Sequence, residues 1–383
     1  MTLDELAAAS AAVLTERVGS QVALVLPEVL KDETRCCVVR FTVVPESGDG
    51  AGKRTVIVKQ IRRDPARGFS DWASLAFLAE LPGAKGLVPE FLGGDVGHSL
   101  FLLADLGGTR SLENVLRGND PAVAMASLRE LALQMARLQA ATMMDETHFT
   151  VIREALPESD SLGRFAEAEQ WLAAEPKIAS WFSATDVAVP AGFSDALHRI
   201  ADTYASPGPF LAFTHGDPAP TNNHIAVDGQ VRLLDFEYGG FRHALYDITG
   251  WNVLCPLPSP VIAEMGRTFR QELGRSCAAA RDDHLYADAW GHLCAYRGLA
   301  ILSWIPPVVL QENRAWASAD WTARHAVLAA LSRIRTATTD VPSLAPVSAV
   351  TDQLLSALRA RWTKFTGSDE AIVPAWRALA ALM

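Results

Sequence analysis

The sequence predicts an α+β protein of two lobes: a small antiparallel β-sheet lobe with one helix, then a large, mainly helical lobe carrying a loop and a β-hairpin. Three observations predict it. Residues 21 to 60 hold successive runs of strand-like sequence, and residues beyond 105 turn to helical periodicity. The stretch THGDPAPTNNHIAVDGQVRLLDFEYGG, 214–240, interrupts the helices with two short β pieces. The change of pattern places the boundary near 104, giving lobes of 1–104 and 105–383.

Each element has a local reason. MTLDELAAASAAVLTERVGS places acids ahead of its apolar residues and reads as an amphipathic helix without the basic start of a signal peptide. QVALVLPEVL, RCCVVRFTVV and RTVIVKQI are apolar or β-branched, and the last two flank the Gly- and Asp-rich loop PESGDGAGK. FSDWASLAFLAEL has apolar residues at 72, 75, 78 and 81, the spacing of a helix, with Ser70 or Asp71 as its expected cap. HSLFLLADLGG is a strand entering a turn. In NDPAVAMASLRELALQMARLQAAT, Asp120 is the expected N-cap, Pro121 the first helical residue, and Leu128, Leu131, Met135 and Leu138 one apolar face. In the 214–240 stretch, HIAV and QVRLLDF surround Asp228-Gly229, a hairpin turn signal.

Bulk composition excludes several classes. The 383 residues are 49% hydrophobic and 20% charged, enough for a large core. A net charge of −10 argues against nucleic acid as partner, because phosphate backbones need a basic face. It leaves room for a cationic small molecule. The longest apolar runs, such as ILSWIPPVVL, are too short to span a bilayer. Five cysteines, an odd number without a C-x-x-C pair, fit a reducing cytoplasm better than a disulfide framework or a zinc site.

The chemistry concentrates on the hairpin. Asp217 lies in the loop before the first β piece, Asn222 ends that loop, and Asp235 closes the second piece. Folding the hairpin brings the three together. Two carboxylates and an amide oxygen are hard ligands that suit Mg²⁺ carrying substrate phosphates. One acid can stay off the metal and accept a proton from a hydroxyl, which is the division of labour in phosphoryl transfer.

His215-x-Asp217-x-x-x-x-Asn222 followed by Asp235-Phe236, with the upstream V-x-V-K ending in Lys59, resembles the kinase superfamily. The closer resemblance is to the aminoglycoside phosphotransferase and choline kinase family, through the H-G-D loop and the D-F-E at 235–237. RLLDFEYGGFRHALYDI, 232–248, is similar to the choline kinase version, and the likeness runs from Lys59 to Asp247. It implies a protein-kinase-like fold and a kinase of small-molecule hydroxyls that uses ATP, with GTP not excluded, and Mg²⁺. Gly216 stands where protein kinases carry an Arg that reads a phosphorylated activation loop, so no such switch is expected.

The resemblance implies roles residue by residue. Asp217 is the base, and Asn222 and Asp235 hold the metal. Lys59 meets the nucleotide phosphates, with Asp71 as its acidic partner and Glu80 as the fallback. Asp is one methylene shorter than Glu, so that pair is expected either through water or with a closer helix. Ala104, Asp105 and Leu106 form the adenine-binding hinge, with Leu234 as an apolar wall. His215 and Asp247 support the loop, and Glu237 serves the substrate or a second metal. No glycine-rich phosphate loop is present, and the turn Lys31–Thr34 takes its place.

Trp251, Trp290, Trp304, Trp316 and Trp321, among Asp282, Asp283, Asp288, Glu312 and Asp320, suit an aminated substrate, although a single Trp at helical spacing is more often core packing. The acceptor expected is an aminoglycoside or other hydroxylated antibiotic. The alternatives are a choline, ethanolamine or sugar kinase of the same fold, and a nucleotide-binding pseudokinase.

Overall fold

The structure is a computed structural model. It describes residues 1–45, 54–159, 163–316, 321–362 and 376–382. The loop PESGDGAGK, but for Pro45, and Asp320 lie outside the described residues.

The strands in chain order are β1 (Val22–Asp32), β2 (Cys36–Pro45), β3 (Arg54–Ile61), β4 (Phe91–Asp95), β5 (Leu100–Ala104) and β6 (Arg110–Ser111). After them come β7 (Leu211–Thr214), β8 (Asn223–Ile225), β9 (Val231–Leu233) and β10 (Gly240–His243). The helices begin with α1 (Leu3–Val18), α2 (Pro65–Glu80), α3 (Leu112–Leu116), α4 (Pro121–Thr142) and α5 (Glu146–Glu154). Next are α6 (Arg164–Leu172), α7 (Glu175–Thr185), α8 (Phe193–Ala205), α9 (Tyr246–Leu254) and α10 (Ser259–Leu273). The last are α11 (Ala278–Arg281), α12 (Asp283–Trp304), α13 (Ala323–Thr338) and α14 (Ala345–Arg361).

The chain forms two compact units that interleave in sequence. The first comprises Met1–Arg110, Asp145–Ser161 and His215–Gly240; the second comprises Ser111–Met144, Leu162–Thr214 and Phe241–Met383.

The first unit is built on an antiparallel sheet in the order β1-β2-β3-β5-β4. Side chains alternate across a strand, so the sheet has two faces. One buries Val39, Phe41, Val56, Val58, Leu100 and Leu102 with Leu6 and Leu14 of α1, which explains the apolar stripe of the N-terminal helix. The other carries Lys59, opposite Phe101 in the register, and Phe101 meets Trp72 of α2 at a ring distance of 5.9 Å. Ser70 and Asp71 do not cap α2. The helix begins at Pro65 with Asp64 at the N-cap, which places both residues inside it and buried. Proline favours the first helical turn, and this moves the start upstream of the apolar periodicity.

The second unit is helical. In α4, Asp120 accepts from the N–H groups of Ala122 and Val123, and Leu128, Leu131, Met135 and Leu138 are fully buried, as the pattern predicts. The indole N–H of Trp181 donates to the carbonyls of Leu302 and Ile305 and that of Trp171 to Tyr296, tying α7 and α6 to α12. Among the described residues no helix is long and apolar enough to cross a membrane. All five cysteines are free.

Candidate active site

Lys59 is the hub of the first unit. Its ammonium lies 2.6 Å from Asp71 Oδ2 and 2.7 Å from Asp235 Oδ1. The other oxygen of Asp71 accepts from the backbone N–H of Phe236 at 2.7 Å. One carboxylate on α2 thus ties the strand lysine to the residue after Asp235. Burial by itself would depress the Lys59 ammonium, but the two carboxylates reverse this and hold it above its ordinary value. Asp235 resists the upward push of burial because Lys59 stabilises its anion, and it lies below its usual range. Asp71, the more deeply buried of the two, is raised by desolvation, with Lys59 opposing.

The shorter acid reaches Lys59 directly because α2 sits close to the sheet. Gly68, in the first turns of α2, has no Cβ where one would lie 2.5 Å from Ile61 Cγ2 at the end of β3. Glu80, the alternative partner, is at the far end of α2 and bonds His148 Nε2 at 2.9 Å.

The hairpin brings Asn222 beside Asp235. β8 pairs with β9, Asn223 opposite Leu233, and one step beyond the ladder Leu234 N–H donates to the Asn222 carbonyl at 2.9 Å. The turn is closed by Asp228, whose carboxylate accepts from Gln230 N–H at 2.9 Å, and by Gly229 in the left-handed region. Asn222 Nδ2 donates to the Asp217 carbonyl at 3.0 Å, which leaves its Oδ1 as the acceptor of the amide; Thr221 Oγ1 lies 3.3 Å from that oxygen. Asp217 is exposed, and among the described residues its carboxylate has no hydrogen-bond partner. Asp235 has a positive φ of 65°, a conformation that non-glycine residues adopt at a cost and that recurs at functional positions.

Gly216 has a steric explanation. Its φ is +84°, and a Cβ there would sit 2.1 Å from the Tyr238 carbonyl oxygen. No side chain, arginine included, fits that position in this backbone. His215 is fully buried, packs at a tilt against Phe236 with ring centroids 4.4 Å apart, and its Nε2 lies 2.8 Å from the Leu234 carbonyl.

At the proposed hinge, Ala104 ends β5 opposite Val56, and its N–H is taken by the Glu90 carbonyl at 2.9 Å. The Asp105 carboxylate is committed to the fold: burial would raise it, but Arg40 Nε at 2.7 Å, Thr55 Oγ1 at 2.7 Å and Gly107 N–H at 2.9 Å hold it below its usual range. Leu106 and Leu234 are half-buried. Asp247 is buried at the start of α9 in the second unit, with Gln139 Nε2 at 3.4 Å.

Two expectations are corrected. Lys31 still belongs to β1, so the turn before β2 is Glu33–Arg35 and not Lys31–Thr34. The Trp and acid residues of the helical unit do not form one cage: Trp251 and Trp321 are core residues, and Trp304 and Trp316 are at the surface. Asp282 caps α12 through His284 and Leu285 N–H, and Asp283 pairs with Arg270 at 2.6 Å. Aspartate competes well for free helix N–H groups, which is why Asp282 is spent at a helix start.

Sequence reasoning missed Arg35. Its guanidinium meets Glu237 at 3.1 and 3.2 Å across a narrow cleft of about 20 Å³ that also includes Lys31, Lys59, Arg63, Arg67 and Asp235. Arg67 lies 4.8 Å over the ring of Tyr238. The available signal was the density of basic residues in KDETR and QIRRDPARG, on either side of the strand that carries Lys59.

A strand lysine clasped by a helix acid and by the Asp of a D-F pair, next to an Asp–Asn loop, defines a protein-kinase-like phosphotransferase of α+β architecture. The chain belongs to the phosphotransferase enzyme family, APH, whose family model matches residues 48–290. It is accordingly a phosphotransferase acting on a hydroxyl of a small molecule. Solved structures similar in fold include a choline/ethanolamine kinase family protein from Mesorhizobium loti, 16% identical over 94% of this chain and 92% of that chain, with a TM-score of 0.42. The macrolide 2′-phosphotransferase MphH from Brachybacterium faecium is 14% identical over 93% and 98%, with a TM-score of 0.44. An ethanolamine kinase from Plasmodium vivax is 10% identical over 88% and 83%, with a TM-score of 0.45. No curated protein matches the chain significantly.

Proposed function

We propose that the protein transfers the γ-phosphoryl group of ATP, with Mg²⁺, to a hydroxyl of an aminoglycoside or another hydroxylated antibiotic. The observation that carries the nucleotide reading is the Asp71–Lys59–Asp235 arrangement beside Asn222. It leaves a fixed ammonium for the α/β-phosphates and two hard oxygen donors on adjoining backbone, the Asp235 carboxylate and the Asn222 Oδ1. That donor set fits Mg²⁺, which takes one or two carboxylates and completes its shell with phosphate and water. When bound there, Mg²⁺ would neutralise phosphate charge. Residues 1–104 would provide the nucleotide site, with Ala104–Leu106 against the base and Leu234 as a wall.

The chain's own groups then divide the work. Lys59, oriented by Asp71, neutralises the α/β-phosphates. Asp217, which is exposed, accepts the proton of the acceptor hydroxyl as that oxygen bonds to the γ-phosphorus. The bond to the bridging oxygen breaks, and ADP leaves with its electron pair. His215 holds the Leu234 carbonyl and so the approach to Asp235. The pseudokinase alternative rested on the short Asp71, and direct contact at 2.6 Å removes that support. The antibiotic class rests on the family resemblance.

The test is mass-spectrometric detection of phosphorylated product after incubation with ATP and Mg²⁺. The panel comprises aminoglycosides, macrolides, choline, ethanolamine and amino sugars. Wild type should phosphorylate an aminated or macrolide antibiotic, and Asp217→Ala should lose about 10²–10⁴ in kcat while still binding ATP. Product from choline alone would replace the antibiotic reading, and full activity in Asp217→Ala would overturn the assignment of the base.

A further inference from the structure

The loop that carries Asp217 continues as Pro218-Ala219-Pro220, with a proline at every second position. Proline has no N–H, so this backbone has few donors of its own with which to hold itself. Two adjacent asparagines supply donors from their side chains. Asn222 Nδ2 donates to the Asp217 carbonyl at 3.0 Å. Asn223 Nδ2 donates to the next two carbonyls, that of Pro218 at 2.9 Å and that of Ala219 at 2.6 Å. Three consecutive carbonyls accept from one Asn-Asn pair, and the amide of Asn223 uses both of its N–H groups on the loop.

Asn223 is a firm anchor. It opens β8 opposite Leu233 of β9 and is fully buried. Among the described residues its Oδ1 has no hydrogen-bond partner. A buried orphan oxygen is a cost that an apolar side chain would avoid. Ile225, two residues on and so on the same face of the strand, is apolar and buried. Packing alone would favour an apolar residue at 223 as well. What the asparagine adds is its pair of N–H groups, and these go to the loop.

We propose that Asn223 is a positioning residue for the base. By holding the Pro218 and Ala219 carbonyls it fixes the direction in which the exposed Asp217 meets the acceptor hydroxyl. The inference rests on the reading of Asp217 as base. Asn223, being buried, touches neither nucleotide nor acceptor.

Two variants of the full-length chain test it. Asn223→Leu is close in volume and removes both donors together with the orphan oxygen. Asn223→Thr suits a strand and keeps one O–H donor. In Asn223→Leu, hydrogen exchange of a peptide covering 216–222 should be at least about threefold faster than in wild type, with α4 unchanged. With ATP, Mg²⁺ and the compound of the panel above that yields product, kcat should fall about 10- to 100-fold, the loss expected when a reacting group is displaced by about 1 Å, while the KM for ATP stays within about twofold. Asn223→Thr should lie between wild type and Asn223→Leu. In an Asp217→Ala background Asn223→Leu should cost nothing further, because a residue that acts only through Asp217 has nothing left to position. Undisturbed loop exchange overturns the clamp whatever the rates are. Wild-type kcat in Asn223→Leu beside an inactive Asp217→Ala, or an equal loss with and without Asp217, overturns the positioning role and leaves the base in place. Full activity in Asp217→Ala overturns the reading of the base instead. If Asn223→Leu does not fold, Asn223→Thr decides, and wild-type exchange and kcat in that variant overturn the proposal.

Discussion

Gly68 and Ile61 lie so close that a Cβ built on the glycine would be 2.5 Å from the isoleucine Cγ2 and 2.7 Å from its Cγ1. Three residues further along α2, Asp71 touches Lys59. Helix position and ion pair are therefore one feature. An exposed helix glycine changed to alanine usually stabilises by about 0.5–1 kcal/mol. Here the new methyl meets a buried, β-branched side chain that cannot rotate away, and overpacking of this kind costs about 1–3 kcal/mol. Gly68→Ala should therefore lower stability in urea and raise the nucleotide KM, and Ile61→Ala in the same chain should recover part of the KM. A stabilised Gly68→Ala with unchanged KM would sever the link.

Asp71 also satisfies the Phe236 N–H. Asp71→Ala leaves that buried donor unpaired, at a cost of about 1–3 kcal/mol, while Lys59 keeps Asp235 as a counter-ion. Asp71→Asn preserves an acceptor for the N–H and removes only the charge. Denaturant midpoints should fall in the order wild type, Asn, Ala, whereas nucleotide binding should be weakened in both variants. Equal midpoints for Asn and Ala would show that the backbone bond contributes nothing.

The Arg35–Glu237 pair is partly exposed, so it contributes little to stability, about 0–1 kcal/mol. Its position in the narrow cleft with Lys59 gives it a different consequence. Phosphate entering beside Lys59 must part the pair and gains Arg35 as a donor. Arg35→Ala should leave the melting temperature nearly unchanged and raise the nucleotide KM several-fold at low ionic strength, with the difference shrinking as salt screens it. An unchanged KM at low salt would remove Arg35 from the site.

His243 offers a pH test in the second unit. It is fully buried, stacks on Phe210 at 4.9 Å and takes the Leu245 N–H on Nδ1 at 3.2 Å. Burial pushes its pKa down from 6.5 to about 3, with His292 adding to the effect. Between those values the unfolded chain binds a proton that the folded chain refuses, so stability rises with pH across this window and falls on acidification below 6.5. The slope from this one group approaches about 1.4 kcal/mol per pH unit. His243→Gln, which has no ionisable group, should show a shallower fall in stability from pH 6.5 to 4.5 than wild type. Parallel curves would mean that the imidazole is solvated or charged in the fold.

Much of the site is readable in consecutive residues. Asp228-Gly229 forces the hairpin, and the hairpin carries Asn222 to the residue before Asp235. V-x-V-K lies within β3 and puts its lysine on the opposite face from Val58. These follow from turn chemistry and the two-residue strand period, which act over a few positions. The start of α2 was misplaced because apolar periodicity begins later than the proline-led first turn. Arg35 was missed because a turn residue in the sequence has no face; its partner, Glu237, is 202 residues away.

The sequence by itself determined the elements, the charge types and their order, because propensity, period and turn chemistry are local. Whether an aspartate one methylene short could hold Lys59, which carboxylates became helix caps, and which side chain would hold the Pro218 and Ala219 carbonyls were decided only by tertiary structure. Those outcomes depend on how closely a helix packs on a sheet and on which side chains packing excludes from water. Both are set by contacts between residues far apart in the chain.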